Sequence, residues 1–315
     1  MRIAVVGAGA IGGFLAAALA RAGVAVEVVA RGEHAAAIKR HGLHVEGDLG
    51  TFSVRVGVSE DLRATPPFDF LLLTFKAHQW PGLLDRLAPF AGTPAVLATM
   101  QNGVPFWYVR EPPLQSIDPG GNIGRLFPDS QIVGSVVHVS GHIVEPGRIR
   151  QSGGLRYIFG DPNGGCTKRT NVLVELFRSA GLAPETDPNI RATVWLKLVN
   201  NVGLNAVSVF RGMKIKPMLE DPRIRNEVRR LMIEALHVGQ AMGVVGEVDV
   251  DARIEYAARL DNVKTSMLQD FEQQRPLEID PILGAVCELG ERNGVATPHV
   301  AEAYAALREL TAARR

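Results

Sequence analysis

The first 31 residues, MRIAVVGAGAIGGFLAAALARAGVAVEVVAR, constrain this chain more than any other stretch. An apolar run, Ile3 to Val6, meets Gly7-x-Gly9-x-x-Gly12; an Ala/Leu-rich segment then closes at Gly23, and a second apolar run covers Val24 to Val29. This order predicts strand, tight turn, helix and strand, a βαβ unit. The turn needs glycines because it is sharp, because a side chain at Gly9 would collide with a pyrophosphate, and because Gly12 lets helix and strand pack closely. The helix start contributes free N–H groups and the positive end of its dipole. Gly7, Ala8, Gly9, Ala10, Ile11 and Gly12 are therefore expected to hold the pyrophosphate of a dinucleotide.

Residues 3–20 carry no charge and follow Arg2, which by hydropathy alone suggests a leader or a membrane span. Ala and Gly dominate the stretch and the glycines fall at nucleotide-turn spacing, so the membrane reading is set aside. Arg31 follows the second strand where an NAD-binding unit would place an acid on the ribose hydroxyls. A guanidinium there suits a 2′-phosphate and favours NADPH over NADH, the alternative being an exposed arginine at the start of a loop.

At 315 residues, two domains are the default. The 34 Lys+Arg against 33 Asp+Glu argue against a dedicated nucleic-acid or membrane-surface binder, which would need a basic excess. Cys166 and Cys287 stand far apart without metal-ligand spacing, so neither a disulfide framework nor a metal site is indicated and a cytoplasmic home is expected.

Along the chain, EHAAAIKRHG reads as a helix and LHVEG with TFSVRVGV as a small hairpin, before a break at Pro66-Pro67. Asp69 to Phe75 is a continuous apolar run of the kind buried in a parallel sheet, with Lys76 at its carboxyl end, where ligands of open α/β sheets sit. Lys76 is either a phosphate ligand or an exposed cation beginning a helix. PAVLATMQNGV is a further strand ending at Asn102, whose amide suits a nicotinamide, its ribose or a substrate, although Asn-Gly is also an ordinary turn. Residues 105–130, rich in Pro and Gly, read as a helical start and an elaborated loop, either lid or oligomer contact. Strand patterning resumes to about residue 160; NVLVELFRSAG is an amphipathic helix, APETDPN a linker, and the remainder of the chain is helical in texture. The boundary is expected near Pro188: an α/β Rossmann-type domain with a mostly parallel sheet over 1–187, and an all-α domain over 188–315.

The helix from about Asn189 to Phe210 is largely apolar but carries a polar stripe, on which Lys197, Asn201 and Asn205 share one face within roughly 80 degrees at a spacing of four. An ammonium on such a face is costly to bury unless it meets something polar. Either the lysine snorkels, or it is a proton donor between substrate-binding amides. Later come Ser266, which offers a hydroxyl, and Glu278, which by position alone read as surface or local-capping residues; the Asp280-Pro281 pair predicts a helix start with Asp280 as N-cap.

Taken together, VVGAGAIGG, LLLTFKAHQ, QNGV, NIRATVWLKLVNNVGLNA and SMLQDFEQQRPLEID resemble the 2-dehydropantoate 2-reductase (ketopantoate reductase) family over almost the whole chain. The resemblance implies an NADPH-dependent reductase of a small 2-oxo acid, with substrate in the cleft between the domains. It makes Lys197 the catalytic general acid and Glu278 an acid near the substrate and the cofactor ribose. It further puts Asn201, Asn205 and Ser266 on the substrate's carboxylate and hydroxyl, Asn102 near both ligands, and Arg31 with Lys76 on the 2′-phosphate. No nucleic-acid or membrane partner is implied, and dimerisation through the helical domain rests on analogy. The long 105–130 loop, with Lys214 and Lys216 where the pattern is usually small and polar, leaves a reductase or dehydrogenase of another small 2-oxo or hydroxy acid open. A non-catalytic NADP(H) sensor is a further alternative, against which the polar stripe speaks.

Overall fold

The computed structural model describes residues 1–62, 67–259 and 263–314, so Pro66 of the expected break lies outside the described residues. Its strands are β1 (Arg2–Val6), β2 (Ala25–Val29), β3 (Leu43–Glu46), β4 (Phe52–Val54), β5 (Gly57–Ser59), β6 (Phe70–Leu73), β7 (Val96–Thr99), β8 (Ile132–Glu145), β9 (Arg148–Gly160) and β10 (Ala183–Thr186). They form one sheet in the order β4-β3-β9-β8-β7-β6-β1-β2-β5, with β10 paired to β9. From β5 to β8 every pairing is parallel; β9 and β4 run antiparallel to β8 and β3. Strands β1 and β6 lie in the middle of this run, and such strands need apolar cover on both faces, hence the unbroken runs IAVV and FLLL.

The helices of this layer are α1 (Ala10–Arg21), α2 (Gly32–His41), α3 (Trp80–Leu87), α4 (Asn122–Leu126) and α5 (Lys168–Ser179). Phe14, Leu15 and Leu19 of α1 join Ile3, Val5, Val28 and Leu72 in the core, and Phe177 of α5 meets Tyr157 and Phe159 edge-on. The expected βαβ opening, the α2 helix and the β3–β4 hairpin are all present, and β5 extends the parallel sheet beside β2. The APETDPN stretch is a correction: Ala183–Thr186 is a strand, not a linker, because its backbone completes the ladder beside β9.

By packing, the chain divides into one unit of residues 1–101 and 122–190 and a second of 102–121 and 191–315. Residues 102–121 thus pack with the second unit although they lie within the first half of the chain.

That second unit contains α6 (Ile190–Arg211), α7 (Ile215–Glu220), α8 (Pro222–Ala241), α9 (Val250–Ala258), α10 (Ser266–Glu272), α11 (Ala285–Arg292) and α12 (Pro298–Ala312). Helix α6 presses on α8: the Trp195 indole donates to the Ala235 carbonyl at 2.9 Å, and a Cβ on Gly239 would fall 2.1 Å from its Nε1.

Residues 102–118 form turns rather than a helical start, since Phe106, Trp107, Tyr108 and Leu114 are buried and Pro112-Pro113 exclude helix continuation. The Val104 N–H donates to the Pro281 carbonyl at 2.8 Å. The Glu288 carboxylate accepts from the N–H groups of Gln115 and Ser116, and Arg292 donates to the carbonyls of Pro112 and Pro113. Asp280 is a second correction: it opens a π-helical turn, Asp280–Gly284, without capping it, and accepts from the Tyr304 hydroxyl at 2.7 Å.

Candidate active site

In the first unit, β1 ends against a turn that only glycine satisfies. Gly7 has φ +104°, and a Cβ there would lie 2.8 Å from the Phe75 nitrogen. At Gly12 a Cβ would fall 2.1 Å from the Gly7 carbonyl oxygen and 2.3 Å from Thr74 Oγ1. The Thr74 hydroxyl donates to that same Gly7 carbonyl at 2.7 Å, so it braces the turn from β6. Sequence reading missed Thr74; its one signal was a hydroxyl closing an otherwise apolar run.

Gly9 differs from its neighbours. A Cβ there would meet nothing within 4 Å, so open space lies in front of α1. No side chain caps α1 and no acid lies in its first turn, which leaves its positive end to an anion. The room at Gly9 and the uncapped helix fit a diphosphate. Arg31 is exposed at the N-cap of α2, two residues past β2. Lys76 is partly buried three residues past β6, where the Gln79 side chain accepts from its N–H at 3.0 Å.

In the second unit, Lys197, Asn201 and Asn205 lie on a one-residue-in-four stripe of α6, Asn205 buried and Lys197 and Asn201 largely so. Lys197 Nζ donates to Asn102 Oδ1 at 2.9 Å, and Asn102 Nδ2 donates to Glu278 Oε2 at 3.3 Å. Glu278 is 8% exposed. Three residues from distant parts of the chain thus form one chain of hydrogen bonds. Burial draws the Lys197 amine down from its ordinary 10.5 to about 8, with the Glu278 carboxylate opposing that shift. The ammonium remains the major form at neutral pH yet surrenders its proton far more readily than a surface lysine, which suits a general acid. The Asn102 amide has a single orientation here: its oxygen faces an ammonium and its nitrogen a carboxylate.

Ser266 is exposed at the first residue of α10, after the N-cap Thr265. Lys214 is partly buried at the N-cap of α7 and Lys216 is exposed. Among the described residues, no three or more His, Cys, Asp or Glu side chains are placed to hold a metal ion. No helix among them is long and apolar enough to cross a membrane.

Residues 3–164 match the family model described as "Ketopantoate reductase PanE/ApbA", and residues 189–311 match "Ketopantoate reductase PanE/ApbA C terminal". The chain is 38% identical to a 2-dehydropantoate 2-reductase of Mesorhizobium japonicum, over 100% of this chain and 99% of that protein. The crystal structure of 2-dehydropantoate 2-reductase from Geobacter metallireducens GS-15 superposes with a TM-score of 0.89 at 28% identity, covering 99% of this chain and 100% of that one. A PanE/ApbA family ketopantoate reductase from Ralstonia eutropha JMP134 superposes with a TM-score of 0.85 at 26% identity, covering 99% and 98%. With both halves matched by its models and relatives aligned end to end, this chain belongs to the ketopantoate reductase family.

Proposed function

We propose that this chain reduces 2-dehydropantoate to (R)-pantoate with NADPH as hydride donor. The observation that carries the reading is the Lys197–Asn102–Glu278 chain, a buried ammonium held by an amide whose orientation a carboxylate fixes. NADPH, when bound, supplies the hydride that reaches the keto carbon. Lys197 gives its proton to the oxygen on which charge then develops, and is recharged from water. Asn102 keeps the ammonium aimed, and Glu278 both orients Asn102 and sustains the charge on Lys197. Asn201, Asn205 and Ser266 meet the substrate's carboxylate and hydroxyl. Gly7, Ala8, Gly9, Ala10, Ile11 and Gly12 receive the pyrophosphate, and Arg31 with Lys76 the 2′-phosphate, where a bidentate guanidinium is the natural partner.

The proposal includes a cytoplasmic enzyme, in keeping with two free cysteines, and a homodimer, which light scattering tests directly. The chemical test is the decay of NADPH absorbance with 2-dehydropantoate against a panel of branched and unbranched 2-oxo acids. Strong selectivity for 2-dehydropantoate is expected. Turnover with another acid alone would keep the reaction type and move the substrate, with Lys214 and the 105–130 loop the first positions to substitute.

A further inference from the structure

Beyond the proposed substrate residues, α6 carries a buried hydroxyl that neither helix propensity nor packing requires. Ser208, one turn after Asn205, is fully buried, and its Oγ donates to the Asn205 carbonyl at 2.8 Å. The same oxygen lies 2.6 Å from Thr265 Oγ1, itself buried at the start of α10. Each hydroxyl has one proton. That of Ser208 goes to Asn205, so Thr265 must be the donor between the two hydroxyls. The Leu268 N–H, at 3.1 Å, then donates to Thr265 Oγ1 as a helix cap. The result is a directional chain, Leu268 N–H to Thr265, Thr265 to Ser208, Ser208 to the Asn205 carbonyl. The segment is held a second time where the Ile215 N–H donates to the Val263 carbonyl at 3.0 Å.

Capping explains Thr265 but not Ser208, since the cap needs only the threonine oxygen, and a buried hydroxyl is costly unless it has partners. The hydrogen-bond chain ends on the backbone of Asn205, and Ser266 is the residue that follows Thr265. We propose that Ser208 and Thr265 are positioning residues that set the spacing of Asn205 and Ser266 and so govern how tightly the substrate's carboxylate and hydroxyl are read. This rests on the functional reading above. Neither residue touches the reacting atoms, so their loss acts on substrate binding and not on proton transfer.

The test is steady-state kinetics of wild type, Ser208→Ala, Ser208→Cys and Thr265→Ser, with thermal unfolding and NADPH affinity by fluorescence titration alongside. Ser208→Ala is expected to raise KM for 2-dehydropantoate roughly five- to tenfold, the scale of one buried hydrogen bond with its orphaned partner, with kcat within about threefold and NADPH affinity unchanged. Thr265→Ser keeps the hydroxyl and is expected to match wild type. Ser208→Cys, nearly the same shape with a weaker hydrogen-bonding group, gives the same split in smaller measure should the alanine variant not fold. An unchanged KM with a lowered Tm in Ser208→Ala would show a structural pair only and overturn the inference, with wild-type turnover leaving the functional reading intact. Absence of wild-type turnover with every 2-oxo acid would overturn both.

Discussion

Lys197 holds an ammonium where an apolar side chain would cost less. Its folded pKa, about 8, lies below its unfolded 10.5, so between these values the unfolded chain binds more protons and stability rises with pH. Below pH 8 the buried charge weakens the fold. Lys197→Met is therefore expected to lose the rise in unfolding temperature that wild type shows between about pH 8 and pH 10, while turnover falls about a hundredfold or more. Calorimetry across that range and NADPH oxidation on the same samples check both halves; an equal rise in both proteins would mean that the buried lysine does not titrate there. For Arg31→Ala, loss of charge-assisted bonds to a 2′-phosphate predicts roughly ten- to a hundredfold weaker NADPH binding with NADH little affected. Titration with the two cofactors decides it, and an unchanged preference would remove Arg31 from that role. Lys197, Asn201 and Asn205 were legible because a polar stripe on an apolar helix conflicts with burial. Glu278 and Asn102 were not legible as partners of Lys197, because 81 and 95 residues separate them from it and only the fold brings them together. Asn102 was legible as an amide at a strand end, and Glu278 as a site residue through the resemblance alone.

At the scale of elements, the opening βαβ unit was readable since each part obeys a local rule: β-branched run, glycine turn, helix, second run. The rule is also strict. Gly12→Ala places a Cβ 2.1 Å from the Gly7 carbonyl, so the turn must open; NADPH binding is expected to be lost in a titration where the variant still folds, and near-normal affinity would contradict the tight turn. Asp221 accepts from the N–H groups of Arg223 and Ile224 at the start of α8, and Asp221→Ala is expected to lower stability by about 1 kcal/mol in denaturant unfolding with turnover preserved. Two elements escaped sequence reading for one reason, that their partners are remote. APET is too short and polar to announce a strand, yet β9 pairs with it; residues 102–118 carry no periodicity because Glu288, Arg292 and Pro281 fix them from outside.

Over the whole molecule, the near-neutral charge gives no long-range field to gather an anionic cofactor, so the local cations and the α1 terminus must do so. Each of the two units holds part of the proposed chemistry: the nucleotide turn, Arg31 and Lys76 in the first, Lys197, Asn102 and Glu278 in the second. The central claim is that a buried lysine with a lowered pKa donates the proton. Its most direct measurement is the pH dependence of kcat/KM for 2-dehydropantoate at saturating NADPH, in wild type and Lys197→Met. Wild-type kcat/KM is expected to hold near neutral pH and to fall with rising pH through an apparent pKa near 8, while the variant's residual activity lacks that limb. A wild-type profile that stays flat to pH 10, or a limb shared by both proteins, would contradict it.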